Sequence, residues 1–235
     1  MNDIGLVQTD IQNKTSKEVF LRLQEAIVEG TLEPGSRLPS ERRLAEMLNI
    51  SRTSVREGLR VLDAMGLIEA RTGSGKRAGT FILERPGSAL SDLLRLNVAL
   101  MHFTLDEVAN LRVSLEVAAL GSASQQPNDK LIDELGSLVT KMEHETSRAS
   151  FADLDAEFHL KLSQLSENRL TSYLINVCHS LILEQMRRGF NNVRDWTVTR
   201  KKFAREHRAI LDAVKIGDIV AAISLIKAHL DDPYH

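Results

Sequence analysis

The sequence is poor in cysteine, proline and aromatic residues, and each shortage excludes a class of protein. A single cysteine, Cys178, cannot form a disulfide within the chain, which fits a reducing compartment. Five prolines and 4% aromatic residues, beside 43% hydrophobic residues, are typical of a mostly helical soluble protein. No apolar run reaches the roughly 18 residues that a membrane span needs, and no signal peptide opens the chain. We therefore expect a cytoplasmic protein with no membrane partner.

The sequence also lacks the large positive charge that many nucleic-acid-binding proteins carry. Its formal net charge is −2, with 13 Lys and Arg against 12 Asp and Glu in residues 1–85, and 17 against 20 in residues 86–235. Binding to DNA would therefore depend on where individual arginines stand, and on two copies acting together on one duplex. The C-terminal part has no phosphate-cradling loop and no paired-cysteine zinc motif, which argues against nucleotide-binding and zinc-finger sites there.

The N-terminal part of the sequence contains a helix-turn-helix pattern. A helix is predicted near residues 16–29, and Ser40 then stands as an N-cap before a short amphipathic helix. Ser51 begins another helix, which Gly66 ends as a glycine just past the last turn. Two strands and a glycine-rich basic tip between them follow, at residues 67–70, 80–83 and 73–79. This order predicts a winged helix-turn-helix.

The helix after Ser51 carries Arg52, Arg56 and Arg60 at four-residue spacing beside its apolar face. In a helix-turn-helix protein, the N-terminal residues of this helix contact base edges in the major groove of DNA. Arginine binds guanine with two hydrogen bonds, and a helix N-terminus favours phosphate. The alternative is an ordinary solvated helix. The two caps, the hairpin and the basic wing together favour a DNA-binding surface.

Residues 39–42, 51–57 and 66–68 read Pro-Ser-Glu-Arg, Ser-Arg-Thr-Ser-Val-Arg-Glu and Gly-Leu-Ile. They resemble the DNA-binding domain of the GntR superfamily of bacterial transcription regulators. The resemblance implies that two sets of arginines, their neighbouring hydroxyl residues and a wing glycine contact DNA. The implied residues are Arg42, Arg52 and Arg56, with Ser51, Thr53, Ser54 and Gly73.

Gly58 departs from this pattern, because the superfamily usually has alanine there. A glycine inside a helix costs about 1 kcal/mol of helix propensity relative to alanine. The alternative is that Gly58 permits close packing of the helix against its neighbour.

The segment 84–88, Glu-Arg-Pro-Gly-Ser, is the obvious linker, because Pro-Gly extends neither a helix nor a strand. It predicts a DNA-binding domain over residues 1–85 and an all-α domain over residues 86–235. The fold class is thus mainly α, a winged helix-turn-helix with a small β-hairpin wing followed by an antiparallel helical bundle. The predicted helices of the bundle lie near residues 88–101, 105–125, 128–146, 150–166, 169–190, 195–215 and 218–231.

Histidines are the informative residues of the predicted bundle. Asp155 and His159 are four residues apart and project from one helical face, while His207 and His229 lie on apolar stripes of two other helices. Three imidazoles and one carboxylate that converge can bind a divalent ion such as zinc, nickel or manganese. The alternative is that each histidine is a hydrogen-bonded core residue, because spacing alone does not show convergence. His179 illustrates that alternative, since it also lies near an apolar stripe.

Residues 155–159, 206–210 and 228–230 are similar to the FCD domain, the helical ligand-binding domain of FadR-type GntR regulators. Many members of that group bind a metal through one aspartate and three histidines at these motif positions. The resemblance implies a divalent metal, zinc first and nickel or manganese as alternatives, held by Asp155, His159, His207 and His229. The histidines without such a match are expected to face solvent: His102, His144 and His235.

Residues 111–116, Leu-Arg-Val-Ser-Leu-Glu, resemble a further motif of that domain, in which an arginine helps to bind a small carboxylate against the metal. The resemblance makes Arg112 the candidate effector-binding residue. The alternative for Arg112 is an ion pair with Glu116 one turn away, worth a few tenths of a kcal/mol on an exposed helix. The wing resembles that of lactate- and gluconate-responsive members, which favours a hydroxycarboxylate.

Together these patterns predict a transcription regulator and not an enzyme. A homodimer would present two DNA-binding domains to a pseudo-palindromic operator in double-stranded DNA, and a small carboxylate effector would change their separation or mobility. One alternative is a metal-dependent enzyme fused to a DNA-binding head, because Asp and His in a bundle can activate water. Another is an architectural DNA-binding protein without a ligand.

Overall fold

The structure is a computed structural model that describes residues 10–73, 75, 78–123 and 128–231. The described residues fall into two compact units, which divide between Leu90 and Ser91. This division lies a few residues after the linker, and the domain boundary at residues 85 and 86 stays a prediction. Among the helices of the described ranges, none combines the length and apolar character that crossing a membrane requires.

The first unit contains a winged helix-turn-helix, as the sequence predicts. Its N-caps are the predicted ones: Ser40 Oγ accepts a hydrogen bond from the backbone N–H of Arg43, and Ser51 Oγ accepts one from Ser54. Gly66 has a φ of +66° directly after the last turn, as a helix-ending glycine should. The elements are α1 (Asp10–Val28), α2 (Glu41–Leu48), α3 (Arg52–Ala64), β1 (Ile68–Arg71) and β2 (Gly79–Ile82).

Helix α1 begins at Asp10, six residues before the start predicted near Ser16. Residues 10–15 contain neither proline nor glycine. Nothing in this stretch therefore interrupts the backbone hydrogen bonds of the helix. The apolar stripe from which the start was predicted begins only at Val19.

Helix α1 packs against α3, and Gly58 of α3 faces Ser16 and Val19 of α1. A β-carbon at Gly58 would lie 2.7 Å from Val19 Cγ1 and 3.1 Å from the backbone oxygen of Ser16. Both distances are shorter than ordinary van der Waals contact, so Gly58 permits the close packing that was one of its two interpretations. The buried apolar residues around this contact form one core: Val19, Leu23, Leu38, Leu44, Val55, Leu59, Leu62, Ile68 and Ile82.

The two strands of the wing are antiparallel, and their register pairs Ile68 with Ile82 and Arg71 with Gly79. Both strands differ from the predicted ones by a single residue at their ends. An isolated bridge between Arg37 and Phe81 adds the segment before α2 to the edge of the hairpin. Of the predicted basic tip, Ser74, Lys76 and Arg77 lie outside the described residues.

Seven helices follow the wing in the described ranges, and they confirm the predicted helical bundle. Side-chain caps set several of the boundaries. Thr104 and Glu107 form a reciprocal capping box at the start of one helix, and Asn168 caps another. The helices are α4 (Ala89–Ala99), α5 (Leu105–Gly121), α6 (Asp129–His144), α7 (Arg148–Ser163), α8 (Arg169–Asn192), α9 (Trp196–Lys215) and α10 (Ile219–Leu230).

The core of the bundle lies between α5, α6, α7, α8, α9 and α10, which pack pairwise in this unit. Its largest apolar side chains are phenylalanines, and Phe151, Phe158, Phe190 and Phe203 are all completely buried. Burying each such ring stabilises the fold by about 1.5–3 kcal/mol. Several charged and polar side chains are buried among these apolar ones, and they form the candidate site.

Candidate metal centre and nucleic-acid interface

Asp155, His159, His207 and His229 converge in the middle of the bundle. Asp155 and His159 stand one turn apart on α7, His207 is on α9 and His229 is on α10. No more than 1% of any of the four residues is exposed. One donor atom from each lies within 4.8 Å of the others, so the residues predicted from three separate helices do meet.

The inward-facing atoms of this group are the three histidine Nε2 atoms and the Asp155 carboxylate. His159 Nε2 lies 3.3 Å from His229 Nε2, and His207 Nε2 lies 3.1 Å from Asp155 Oδ1. The other imidazole–carboxylate separations, from His159 and from His229, are both 3.8 Å. These are separations that ligands of one common ion can have.

The outward-facing atoms of the three rings identify which nitrogen carries the proton. His159 Nδ1 lies 2.6 Å from Glu116 Oε2, and His229 Nδ1 lies 2.8 Å from Glu206 Oε2. His207 Nδ1 lies 2.8 Å from the backbone oxygen one turn earlier in α9. Carboxylate and carbonyl oxygens accept hydrogen bonds, so each Nδ1 donates and each Nε2 keeps its lone pair.

This protonation pattern makes the donor set fit a cation. Three Nε2 lone pairs and a carboxylate face one another, and in this tautomer none of the four groups gives a proton to the others. Burial lowers the pKa of His159 well below its usual value, and the nearby Arg112 charge adds to the shift. Burial and His207 lower the pKa of His229. Neutral imidazole is the form that binds metals, so the residues present fit a divalent ion.

Arg112 and Glu116 on α5 extend the site on one side. Both are buried, with 1% and 2% exposure, and Arg112 Nε donates a hydrogen bond of 2.6 Å to Glu116 Oε1. The ion pair that was the alternative interpretation of Arg112 is therefore present. It engages Nε, however, and Arg112 Nη2 is buried without a hydrogen-bond partner among the described residues. Because Glu116 Oε2 contacts His159, this carboxylate joins the arginine to the histidine cluster.

Sequence reasoning did not select Glu116, Glu206 or His179 as part of the site. The position of Glu206 directly before His207 offered no signal, since its partner is His229 on another helix. His179 is 4% exposed, and its ring centroid lies 5.7 Å from that of His159. Neither ring nitrogen of His179 has a hydrogen-bond partner among the residues that the structure describes.

Two of the histidines predicted to face solvent do so. His102 is exposed, and its Nδ1 lies 2.9 Å from Asn97 Oδ1. His144 at the end of α6 is also exposed. The prediction for His235 falls outside the described residues.

The start of α3 presents three of the predicted DNA-binding residues to solvent. The N-cap Ser51 and the first two helical residues, Arg52 and Thr53, are exposed. Ser54 is 4% exposed instead, and its Oγ lies 2.9 Å from Ser51 Oγ. Its hydroxyl therefore belongs to the helix cap and does not stand on the exposed face.

Of the two remaining predicted arginines, Arg42 is on α2 and Arg56 is one turn into α3. Arg42 on α2 has a side chain that is 77% exposed. Arg56 forms a two-point ion pair with Glu41 of α2, at 2.9 Å from Nη2 and 3.2 Å from Nε. The hydrogen bond from Arg56 lowers the pKa of Glu41. The wing residue Gly73 is exposed with a φ of +132°, a conformation that favours glycine.

Both parts of the chain match known families. Residues 107–232, more than half of the chain, match the FCD domain family. Residues 15–77 match the family described as bacterial regulatory proteins, gntR family. These matches confirm both resemblances that the motifs indicated.

Curated relatives with similar sequences are named as transcription regulators. The HTH-type transcriptional regulator LutR of Bacillus subtilis is 29% identical over 209 residues, 87% of this chain and 92% of that protein. The Glc operon transcriptional activator of Escherichia coli is 29% identical over 199 residues, 82% of this chain and 76% of that protein. The Uxu operon transcriptional regulator of Escherichia coli is 29% identical over 231 residues, 92% of this chain and 84% of that protein.

A solved structure is similar over nearly the whole chain. It is that of Streptococcus agalactiae GntR, with a TM-score of 0.62 and 25% sequence identity. The similarity covers 92% of this chain and 96% of that one.

Proposed function

The chain belongs to the gntR-type DNA-binding regulators that carry an FCD domain, and we propose that a small carboxylate, bound at a metal in that domain, controls its binding to DNA. Its relatives are named as regulators, which favours a regulator over a metal-dependent enzyme. The observation that carries the proposal is the convergence of Asp155, His159, His207 and His229 with their lone pairs facing inward.

The DNA-binding surface in this proposal is the exposed start of α3 with its neighbours. Arg52 and Arg56 contact base edges or phosphates, Ser51 and Thr53 contact the backbone of the DNA, and Arg42 and Gly73 contact it from either side. Ser54 supports this surface through the cap. Glu41 supports it as well, because its two-point pair with Arg56 orients that guanidinium while leaving half of the side chain exposed.

The metal site in this proposal is the buried group of Asp155 and the three histidines. Imidazole and carboxylate ligands suit zinc, and nickel or manganese are the alternatives. When bound, the metal supplies positive charge and positions for further oxygen ligands, which attract a carboxylate. Glu116 and Glu206 hold two of the imidazoles in the tautomer that presents Nε2 to the ion.

Arg112 is the second anchor for the carboxylate. Its charge is buried, and Glu116 fixes the guanidinium through Nε. Nη2 stays available as a donor with no partner among the described residues. A guanidinium held in this way recognises a carboxylate with planar geometry that lysine does not reproduce. The wing resemblance favours a hydroxycarboxylate as the effector.

The proposed regulator is a homodimer that binds a pseudo-palindromic operator. Exposed leucines on α4 and just after it support a second copy as partner, since Leu93, Leu96 and Leu100 are each more than half exposed. Coupling between effector and operator must be reciprocal. If the acid weakens DNA binding, DNA weakens binding of the acid by the same factor.

Elemental analysis of the purified full-length protein, prepared without chelators, tests the metal part of this proposal. We expect about one divalent ion per chain, and no gain in thermal stability when zinc, nickel or manganese is added to chelated protein would contradict it. A duplex selected from a random library then serves as the operator. Gel shifts with lactate, gluconate and dicarboxylates should show an altered affinity that disappears after chelation.

A further inference from the structure

His179 on α8 is a buried polar side chain that the proposed metal site does not use. A neutral imidazole always has one N–H donor and one acceptor nitrogen. Buried groups of this kind are nearly always hydrogen-bonded, because leaving them unpaired costs free energy. Both nitrogens of His179 are without a hydrogen-bond partner among the described residues. The hydrogen bonding of this ring is therefore incomplete within the part of the chain that the structure describes.

The position of His179 relates this ring to the proposed effector site. Its centroid lies 5.7 Å from that of His159, similar to the 5.5 Å and 5.3 Å from His159 to His207 and His229. Helix α8 also packs against α5, which carries Arg112. Arg112 Nη2 and His179 are thus two buried groups, on packed helices beside the cluster, that both lack hydrogen-bond partners among the described residues.

The chemical character of His179 indicates what it recognises. The ring is 4% exposed, and a buried charge without a partner costs much free energy, so the ring is neutral. A neutral ring offers one donor and one acceptor, which complement a hydroxyl group. A second carboxylate would be served better by a charged ring. His179 is also outside the set of donor atoms that lie within 4.8 Å of one another, which separates it from the metal ligands.

We propose that His179 is a specificity-determining residue that hydrogen-bonds the hydroxyl group of a hydroxycarboxylate whose carboxylate is bound by Arg112 and the metal. This inference rests on the proposed function and extends it from carboxylates in general to those with a hydroxyl group. One ring nitrogen contacts the hydroxyl. A buried water serves the other, as buried waters commonly do for isolated polar atoms.

Calorimetry on the metal-loaded full-length protein with matched acids tests the inference. Lactate and propionate differ only in the hydroxyl group, and malate and succinate form a second such pair. We expect the wild type to bind at least one hydroxy acid about tenfold more tightly than its deoxy partner, as a hydrogen bond made only by one of them would give. In His179→Phe this ratio should fall to about one, because an aromatic ring is kept and the hydrogen bond is lost.

Three further variants guard against misfolding and nonspecific effects. His179→Gln keeps a donor and an acceptor and should retain most of the discrimination, and His179→Leu replaces the Phe variant if that ring overpacks the core. His102→Phe changes an exposed histidine of the same unit and should leave the ratio as in the wild type. Elemental analysis of every variant shows whether metal content is unchanged.

The outcomes separate this inference from the proposed function. A wild type that binds no metal would contradict both. Metal-loaded wild type that binds none of the acids, or that binds each pair equally, would overturn the inference and leave the metal site standing. A loss of metal in His179→Phe would identify His179 as a ligand of the ion and would also overturn it. A ratio in His179→Phe equal to that of the wild type would also overturn the inference.

Discussion

The charged groups of the proposed DNA-binding surface and those of the buried cluster make their interactions in opposite surroundings. The Arg56–Glu41 pair leaves 51% and 34% of the two side chains exposed, whereas Arg112 and Glu116 are each about 2% exposed. An exposed pair contributes about 0–1 kcal/mol to stability, but removing one partner of a buried pair costs about 3–5 kcal/mol. Substitutions on the exposed surface should therefore change DNA affinity without unfolding the protein. Substitutions in the buried cluster should lower both metal binding and stability.

Among the substitutions that test this difference, His207→Ala should have the largest effect on stability. The substitution removes one of the four side chains that could hold the proposed metal ion, and it opens a cavity in the core. We expect the free energy of unfolding to fall by about 3–5 kcal/mol and bound metal to be lost. Denaturant unfolding and elemental analysis measure the two effects.

His144→Ala is the control, since it removes an exposed histidine and should change stability by less than about 0.5 kcal/mol. Equal metal content in wild type and His207→Ala would contradict the assignment of His207 as a ligand.

Glu116→Gln should have the second largest effect, because it removes the charge that Arg112 and His159 both face while keeping the shape of the side chain. We expect a loss of about 2 kcal/mol in stability from the weakened charged hydrogen bonds. Metal affinity should fall about 10–100-fold, as it does when a group that orients a ligand is changed. Calorimetric titration with zinc measures this affinity.

The matched control is Glu184→Gln, which alters an Arg–Glu pair of the same four-residue spacing that is largely exposed. It should change neither quantity. If both variants behave alike, the buried pair is no more important than the exposed one.

Arg52→Ala tests the exposed side of the comparison. We expect operator affinity to fall by about 1–3 kcal/mol for each subunit, because a base or phosphate contact at the start of α3 is lost. The unfolding free energy should stay within about 0.5 kcal/mol of the wild type. Gel shifts and denaturant unfolding measure the two quantities.

Arg60→Ala is a suitable control, since Arg60 lies two turns further along α3 and pairs with Glu57. Its effect on operator affinity should be smaller. The same affinity for wild type and Arg52→Ala would remove Arg52 from the DNA-binding surface.

Gly58→Ala should give the smallest effect. Gly58 lies on α3, as the proposed DNA-binding residues do, but its substitution should change stability because it packs against the core. Helix propensity alone would stabilise the variant by about 1 kcal/mol. The clash with Val19 and the Ser16 backbone should outweigh this gain and leave a net loss of about 1 kcal/mol.

Gly136→Ala in α6 is the matched control, because its nearest neighbour would lie 4.0 Å from the added carbon. That variant should be stabilised by about 0.5–1 kcal/mol in thermal or denaturant unfolding. A stabilised Gly58→Ala would show that α1 moves away easily and that close packing is not required.

Local chemistry made most of the fold predictable from sequence. Ser40, Ser51 and Gly66 act on the backbone within a few residues of themselves, so they mark helix ends without knowledge of the fold. The predicted start of α1 was wrong because residues 10–15 carry no cap signal and no apolar stripe. The metal candidates were reached through helical spacing and family resemblance, and the structure brings all four together.

The surroundings of the site were not predictable in the same way. Glu116 reaches His159 across 43 residues of sequence, and Glu206 reaches His229 across 23. Such contacts depend on how α5, α7, α9 and α10 pack, which no single helix encodes. That His179 has no hydrogen-bond partner among the described residues likewise becomes visible only when its buried neighbours are known.

Glu116 uses one oxygen for Arg112 and the other for His159, and this arrangement constrains how the sequence can drift. Replacing Glu116 alone strands a buried cation, replacing Arg112 alone strands a buried anion, and replacing His159 alone leaves one carboxylate oxygen without its donor. Each single step is costly, so the three positions are expected to be kept together or exchanged together. A descendant that abandoned this three-residue arrangement would thus have to pass through a poorly folding intermediate or change two residues at once.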